Sequence, residues 1–142
     1  AFRRAHPVFH MEQEPRVMDY QACGHPDISY HGVNAWQPEF ENFRRQIGIL
    51  YCGTYAKKPD GQNDDFFFVI FNMHWEPHGF ALPNLPKDLE WTLSFDTSDS
   101  VAGGFYEEGQ ERRVLNQKNC MVPPRSVLVF KGKKKAKNLD KA

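Results

Sequence analysis

An excess of charge of one sign is the first thing this chain lacks. Eighteen Lys and Arg are matched by eighteen Asp and Glu over 142 residues, so the formal net charge is zero. A balanced field does not steer a protein toward nucleic acid or an acidic membrane, and neither partner is expected. Cysteine is scarce: Cys23, Cys52 and Cys120 are odd in number and widely spaced. That argues against a disulfide framework and for three free thiols in a reducing compartment. A run of about eighteen apolar residues, long enough to cross a membrane, is missing, and no signal-peptide pattern opens the chain. The expected location is the cytoplasm. Secretion stays open, because the chain does not open on Met. No internal repeat is visible.

What is abundant is aromatic: twelve Phe, five Tyr and three Trp. Such chains favour sheets or sugar-contacting surfaces. Ten Pro and ten Gly imply many turns, and 142 residues suit one domain with a single core. The most informative stretch is Phe66-Phe67-Phe68-Val69-Ile70-Phe71, six residues that are all aromatic or β-branched. This is strand chemistry without a polar face, so the strand must be covered on both sides. Phe66, Phe68 and Ile70 point one way, and Phe67, Val69 and Phe71 the other.

Further strands are expected at Asp27–Val33, within Gln46–Tyr55, at Gly79–Leu82 as the return of the central strand, at Glu90–Thr97, and at Arg125–Lys131. In Glu90–Thr97 the alternation places Trp91, Leu93 and Phe95 inward and Thr92, Ser94 and Asp96 outward. Residues 119–122 are ambiguous, and 107–113 with Gly103 and Gly104 read as a flexible loop. Short strands between turn signals such as Lys58-Pro59-Asp60-Gly61 predict a β-sandwich or barrel. Lys131, Lys133, Lys134, Lys135 and Lys137 read as a solvated basic tail. At the other end, Phe2-Arg3-Arg4-Ala5 has helical character that His6-Pro7 interrupts. One turn is not stable alone, so it is expected to end a longer helix of a larger enzyme.

Candidate chemistry is sparse. His74, Glu76 and His78 would have metal-ligand spacing on a helix, but Pro77 and the strand pattern exclude a regular one. The reading here is a polar hairpin end where Asn72 or His74 bonds to loop backbone. Cys23, His25 and His31 have no CxxC and no second cysteine close in sequence, so neither a metal nor a thiol nucleophile is expected. No cofactor is expected. Asp19, Asp27, Glu39 and Glu41 are available carboxylates, but none lies in a recognisable hydrolytic motif. Trp36, in the loop Asn34-Ala35-Trp36-Gln37-Pro38, is the best candidate for stacking on a sugar. Trp75 and Tyr30 follow it, and packing in a core or interface is the alternative for all three. Trp91 is assigned to the core.

Five segments, in order, carry a family resemblance. They are Ala1-Phe2-Arg3-Arg4-Ala5-His6-Pro7-Val8-Phe9, Asp27-Ile28-Ser29-Tyr30-His31-Gly32, Phe71-Asn72-Met73-His74-Trp75-Glu76-Pro77-His78-Gly79-Phe80-Ala81-Leu82-Pro83, Trp91-Thr92-Leu93-Ser94-Phe95-Asp96-Thr97, and Pro123-Pro124-Arg125-Ser126-Val127-Leu128-Val129-Phe130. Together they resemble the C-terminal all-β domain of bacterial isoamylase-type and pullulanase-type glycogen debranching enzymes, in glycoside hydrolase family 13 of the α-amylase superfamily, which implies a bacterial cytoplasmic location. The resemblance spans about residues 1–131. It implies an antiparallel β-sandwich at 27–131, preceded by the end of the last barrel helix and a connecting segment at 1–26, with a basic tail at 132–142. It also implies a non-catalytic domain that supports a barrel cleaving α-1,6-glucosidic branches by a retaining two-carboxylate mechanism. In the family those carboxylates lie upstream, so no catalytic residue is expected in this chain. The expected partner is the parent barrel. One rival reading is an α-glucan-binding module using surface aromatics. The other is a protein–protein adaptor docking through one face of 66–71. If the helix remnant has lost its packing partners, Phe2 should be exposed, disordered or buried in a second copy, and the chain should self-associate.

Overall fold

A computed structural model describes residues 1–40, 45–99 and 104–135. Among the expectations above, Glu41, Gly103 and Lys137 lie outside the described residues. A single helical turn α1 (Phe2–Ala5) leads into a 3-10 turn at Pro7–Phe9. The strands are β1 (Ile28–His31), β2 (Gln46–Tyr51), β3 (Phe66–Asn72), β4 (His78–Ala81), β5 (Leu89–Asp96), β6 (Arg112–Arg113), β7 (Asn119–Val122) and β8 (Ser126–Lys134). The chain is mostly β, and its sheets are antiparallel. One sheet has six strands in the order β1-β2-β3-β8-β5-β6, and the other pairs β4 with β7.

β3 sits centrally between β2 and β8, and five of its seven residues in succession, Phe66 to Ile70, are buried. Its inner face carries Phe66, Phe68 and Ile70. These pack with Leu50, Trp91, Leu93, Leu128 and Phe130 of the same sheet and with Phe80, Leu82 and Val122 from the β4–β7 side. Gly48 of β2 belongs to this face because a Cβ there would lie 2.5 Å from the Phe68 ring. Trp91 is core, as expected, and its indole N–H donates to the Pro83 carbonyl at 2.9 Å.

The outer face is read from the register. Tyr51, Phe67, Lys131 and Thr92 form one row across β2, β3, β8 and β5. Tyr30, Ile49, Val69, Val129 and Phe95 form the next. Val8 with Phe2, Phe9 and Met11 covers Phe67 in a second apolar cluster. Phe2 therefore docks within its own chain, 5.4 Å from the Phe67 ring and 5.7 Å from that of Phe9. This corrects the expectation that Phe2 would be exposed, disordered or buried in a second copy. It also fills part of the face that adaptor docking through 66–71 would need.

Three strand expectations change. β4 does not return along β3, because the 73–77 turn carries it to the opposite layer, where it pairs with the ambiguous segment, now β7. The alternation of β5 breaks at a bulge between Leu93 and Phe95. The extra residue, Ser94, moves Phe95 to the outer face opposite Val129. Thr92 does lie on the outer face but is buried there, its hydroxyl donating to the Lys131 carbonyl, and Ser94 at the bulge is buried beside the 104–106 segment, where the Tyr106 N–H donates to its carbonyl. Finally, Lys131 is not part of a solvated tail. β8 continues to Lys134, and Lys131 is only 4% exposed.

Candidate functional site

The sequence-selected aromatics are spread over two loops and an edge strand. β1 is anchored by Asp27, whose carboxylate accepts from the backbone N–H groups of Arg16, Met18 and Ile28. The strand then presents Ser29 and His31 inward and Tyr30 outward. His31 is fully buried against Phe68, with its Nε2 2.9 Å from the Ser29 hydroxyl. Burial pushes its pKa down to about 4, so the ring is neutral near pH 7. Its Nδ1 accepts the Trp36 N–H at 2.7 Å.

That bond holds Trp36 at φ 64°, a left-handed conformation that is costly for an L-residue. The loop folds back because Gly32 lacks a side chain, since a Cβ there would meet the Gln37 carbonyl at 2.4 Å. Trp36 is 46% exposed, and one side of its ring is backed by His31, at 4.5 Å between centroids.

Trp75 is 59% exposed at the 73–77 turn, stacked on His74 at 4.1 Å with the Arg45 guanidinium 5.4 Å from its ring. Tyr30 is half-buried and meets Phe40 edge-on at 6.2 Å. Among the described residues, no ring contact joins Tyr30, Trp36 and Trp75. The arrangement offers two separate exposed indoles rather than a continuous platform.

The 73–77 turn is built by Asn72, as the sequence suggested. Its buried Nδ2 lies within reach of the carbonyls of Glu76, Val122 and Pro123, and its Oδ1 accepts the His74 N–H. His74, Glu76 and His78 come together despite Pro77, with one ligand atom of each within 4.8 Å of the others. His78 Nε2 is buried without a protein partner. The Glu76 N–H, however, donates to His74 Nδ1, which leaves the proton of the neutral ring on Nε2. A metal-binding histidine shows the reverse pattern, donating from its second nitrogen.

A cluster missed in the sequence lies on the outer face. His6 Nδ1 is 2.7 Å from Asp64, and its Nε2 is 3.1 Å from Glu108. Asp64 also accepts the Val8 N–H at 3.0 Å. Lys131 pairs with Glu108, with Glu111 at 3.0 Å and with Asp65 at 3.5 Å. Burial alone would lower the His6 pKa, but the bonds to Asp64 and Glu108 outweigh it and hold the imidazole above its ordinary value. For Glu111 burial acts upward, while its backbone bonds and the Lys131 and Lys133 ammonium groups bring it down to about 2.

His6, Asp65 and Glu108 also have metal-ligand proximity, but the Lys131 ammonium already supplies the cation there. His6 is 1% exposed and the Glu108 side chain 55% exposed, so the cluster runs from the buried His6–Asp64 pair to the surface and latches the N-terminal segment to the sheet. Its members are separated by as many as 125 residues and carry no local motif, which is why sequence reading passes over them.

Asp19 accepts from the N–H groups of Cys23 and Gly24 and from the Tyr55 hydroxyl. Cys23, Cys52 and Cys120 are free thiols, with Cys23 exposed beside Tyr55. Glu39 is half-buried on the loop after β1. No helix of the described chain is long and apolar enough to cross a membrane. Compared with known proteins, the chain matches no protein-family model and no curated sequence.

Proposed function

We propose that this chain is a non-catalytic β-sandwich domain of an α-glucan debranching hydrolase, and that it supports the catalytic barrel. The observation that carries the proposal is the outer face of the six-stranded sheet. The N-terminal segment covers the row around Phe67. The neighbouring rows hold Tyr30, Ile49, Val129 and Phe95, then Ile47, Phe71 and Val127, all only half-buried. Apolar side chains left half-covered on one face of a sheet suit a surface that a further domain covers. Here it lies beside the helical turn α1, the point from which the resemblance has a barrel arrive. Four segments of the resemblance lie on β1, on β3 and β4, on β5 and on β8, which also supports the reading.

The test is the upstream reading frame and the activity of its product. An α-amylase-type barrel should precede residue 1, and the whole product should release reducing ends from branched α-glucan. In that product, Phe71→Lys should lower the temperature at which activity is lost. In the isolated chain the same change should barely move the unfolding midpoint. An upstream frame without a barrel, or a whole enzyme indifferent to Phe71→Lys, would overturn the reading. The exposure of Trp36 and Trp75 favours a second role, that of holding α-glucan.

A further inference from the structure

Residues 10–14, the 16–27 loop and the chain after β2 meet beside the 3-10 turn at Pro7–Phe9. Together they line a cleft of about 410 Å³, within the ~300–1,000 Å³ common for small-molecule sites. Ala56 lines it and belongs to the buried cluster of Val8 and Phe67, so the cleft reaches down to the apolar layer. Tyr20 and Tyr55 meet there with ring centroids 4.7 Å apart at 61°. Tyr55 is fixed, because its hydroxyl lies 2.8 Å from both the Asp19 carboxylate and the His25 carbonyl. Tyr20 is 43% exposed, and the Arg16 guanidinium lies 4.5 Å from its ring. Asp27 holds the loop that carries it, accepting the N–H groups of Arg16 and Met18 at 2.7 and 3.4 Å. Larger clefts beside the Lys131 cluster are lined by charges already paired, Lys58 with Asp65 at 3.0 Å and Lys133 with Glu111 at 3.1 Å.

We propose that this cleft binds a neutral oligosaccharide, with Tyr20 as the ring against which a sugar face packs. The polar lining selects the class. Glu12 and Glu14 only accept, and Gln13 both donates and accepts. Lys57, whose ammonium already donates to Asn63, keeps further protons for a ligand. A sugar hydroxyl donates and accepts at once, so a run of hydroxyls uses both kinds of partner. An ion is not favoured by charge. A cation would meet Lys57 and Arg16 as well as the carboxylates, and an anion would meet Glu12 and Glu14 as well as the bases. The tyrosine rings supply apolar faces beside these polar groups, the combination by which small-molecule sites fix orientation. The site is separate from the indoles of Trp36 and Trp75, which do not line it. The debranching reading enters at one point, the choice of an α-linked glucose chain as the first probe.

The experiment is a titration of the isotope-labelled chain with maltotetraose, read by amide chemical shifts. The amides of residues 10–14, of Tyr20 and of 55–57 should shift together and saturate with a Kd on the order of 1 mM. Because the ligand is uncharged, that Kd should not change between low and high salt. Tyr20→Ala, a change at an exposed loop residue, should raise it about tenfold, and Gln13→Ala should raise it as well. In Trp36→Ala and Trp75→Ala the cleft amides should respond as in wild type. Cellotetraose shifting the same amides where maltotetraose does not would uphold the site and count against the debranching reading. Silence with both sugars, shifts confined to the surroundings of Trp36 or Trp75, or an unchanged Kd in Tyr20→Ala would each overturn the proposal. None of those three results touches the upstream-frame test of the debranching reading.

Discussion

At the scale of single residues, His6 and Asp64 make the most consequential pair. Both are buried, and Asp64 also accepts the Val8 N–H. Removing one partner of a buried ion pair strands the other, which typically costs about 3–5 kcal/mol. Asp64→Ala should therefore lower the unfolding free energy by about 3 kcal/mol in a denaturant titration, and a loss under about 1 kcal/mol would deny the latch its role. The pH dependence has a definite sign. The folded pKa of His6 is raised, so its contribution is complete below the unfolded value of about 6.5 and is lost as pH climbs through the folded value. Asp64 is lowered in the fold: burial opposes ionisation, but the bonds from His6, Val8 and Asp65 prevail. Its contribution is present above the unfolded carboxylate value and lost as pH falls through the folded one. Urea midpoints of wild type and His6→Ala, measured from pH 6 upward, should converge on the alkaline side.

Trp36 and Trp75 also belong to this scale. Both remain exposed where core burial was the alternative. If they hold α-glucan, Trp36→Ala should weaken binding to soluble amylopectin by about 1–3 kcal/mol in affinity electrophoresis, by analogy with other stacking platforms. An unchanged retardation would exclude Trp36.

At the scale of elements, the turn from β3 to β4 decides the layering. A hairpin would have kept β4 beside β3. Instead Asn72 ties the turn to the carbonyls of Val122 and Pro123, and β4 finds its partner in β7. Asn72→Ala would leave several buried carbonyls short of a donor, at about 1–3 kcal/mol each in the worst case. We expect a loss of about 2–3 kcal/mol in thermal or urea unfolding, with β4 and β7 amides losing hydrogen-exchange protection before those of β3 and β8. Uniform loss across both sheets would contradict this. The central strand was legible because its residues are aromatic or β-branched, and the Trp91-bearing strand because apolar and polar residues alternate along it. The β5 bulge was not, because one inserted residue leaves the composition of a strand unchanged while reversing the facing of every later residue in it.

At the scale of the whole molecule, the chain alone should not hydrolyse glycogen, pullulan or small α-glucosides. On the proposed reading the paired carboxylates lie in the barrel, and Asp19, Asp27, Asp64 and Glu111 here are already engaged by backbone N–H groups, Lys or His. Reducing-end release above a boiled control, from protein free of contaminants, would contradict this.

The sequence by itself determined that the chain is built of short strands, that Phe66–Phe71 must be covered on both faces, and that Trp91 is core. Those conclusions rest on local chemistry, since an apolar strand has no polar side to give to water. Only the tertiary structure decided what covers each face. Phe2, Val8 and Phe9 lie on one side and β4 with β7 on the other. The same structure buried Lys131 among Asp65, Glu108 and Glu111 and joined His6 to Asp64. These are pairings between distant segments, settled by register and by the need to satisfy buried charge. No periodicity in a single segment encodes them.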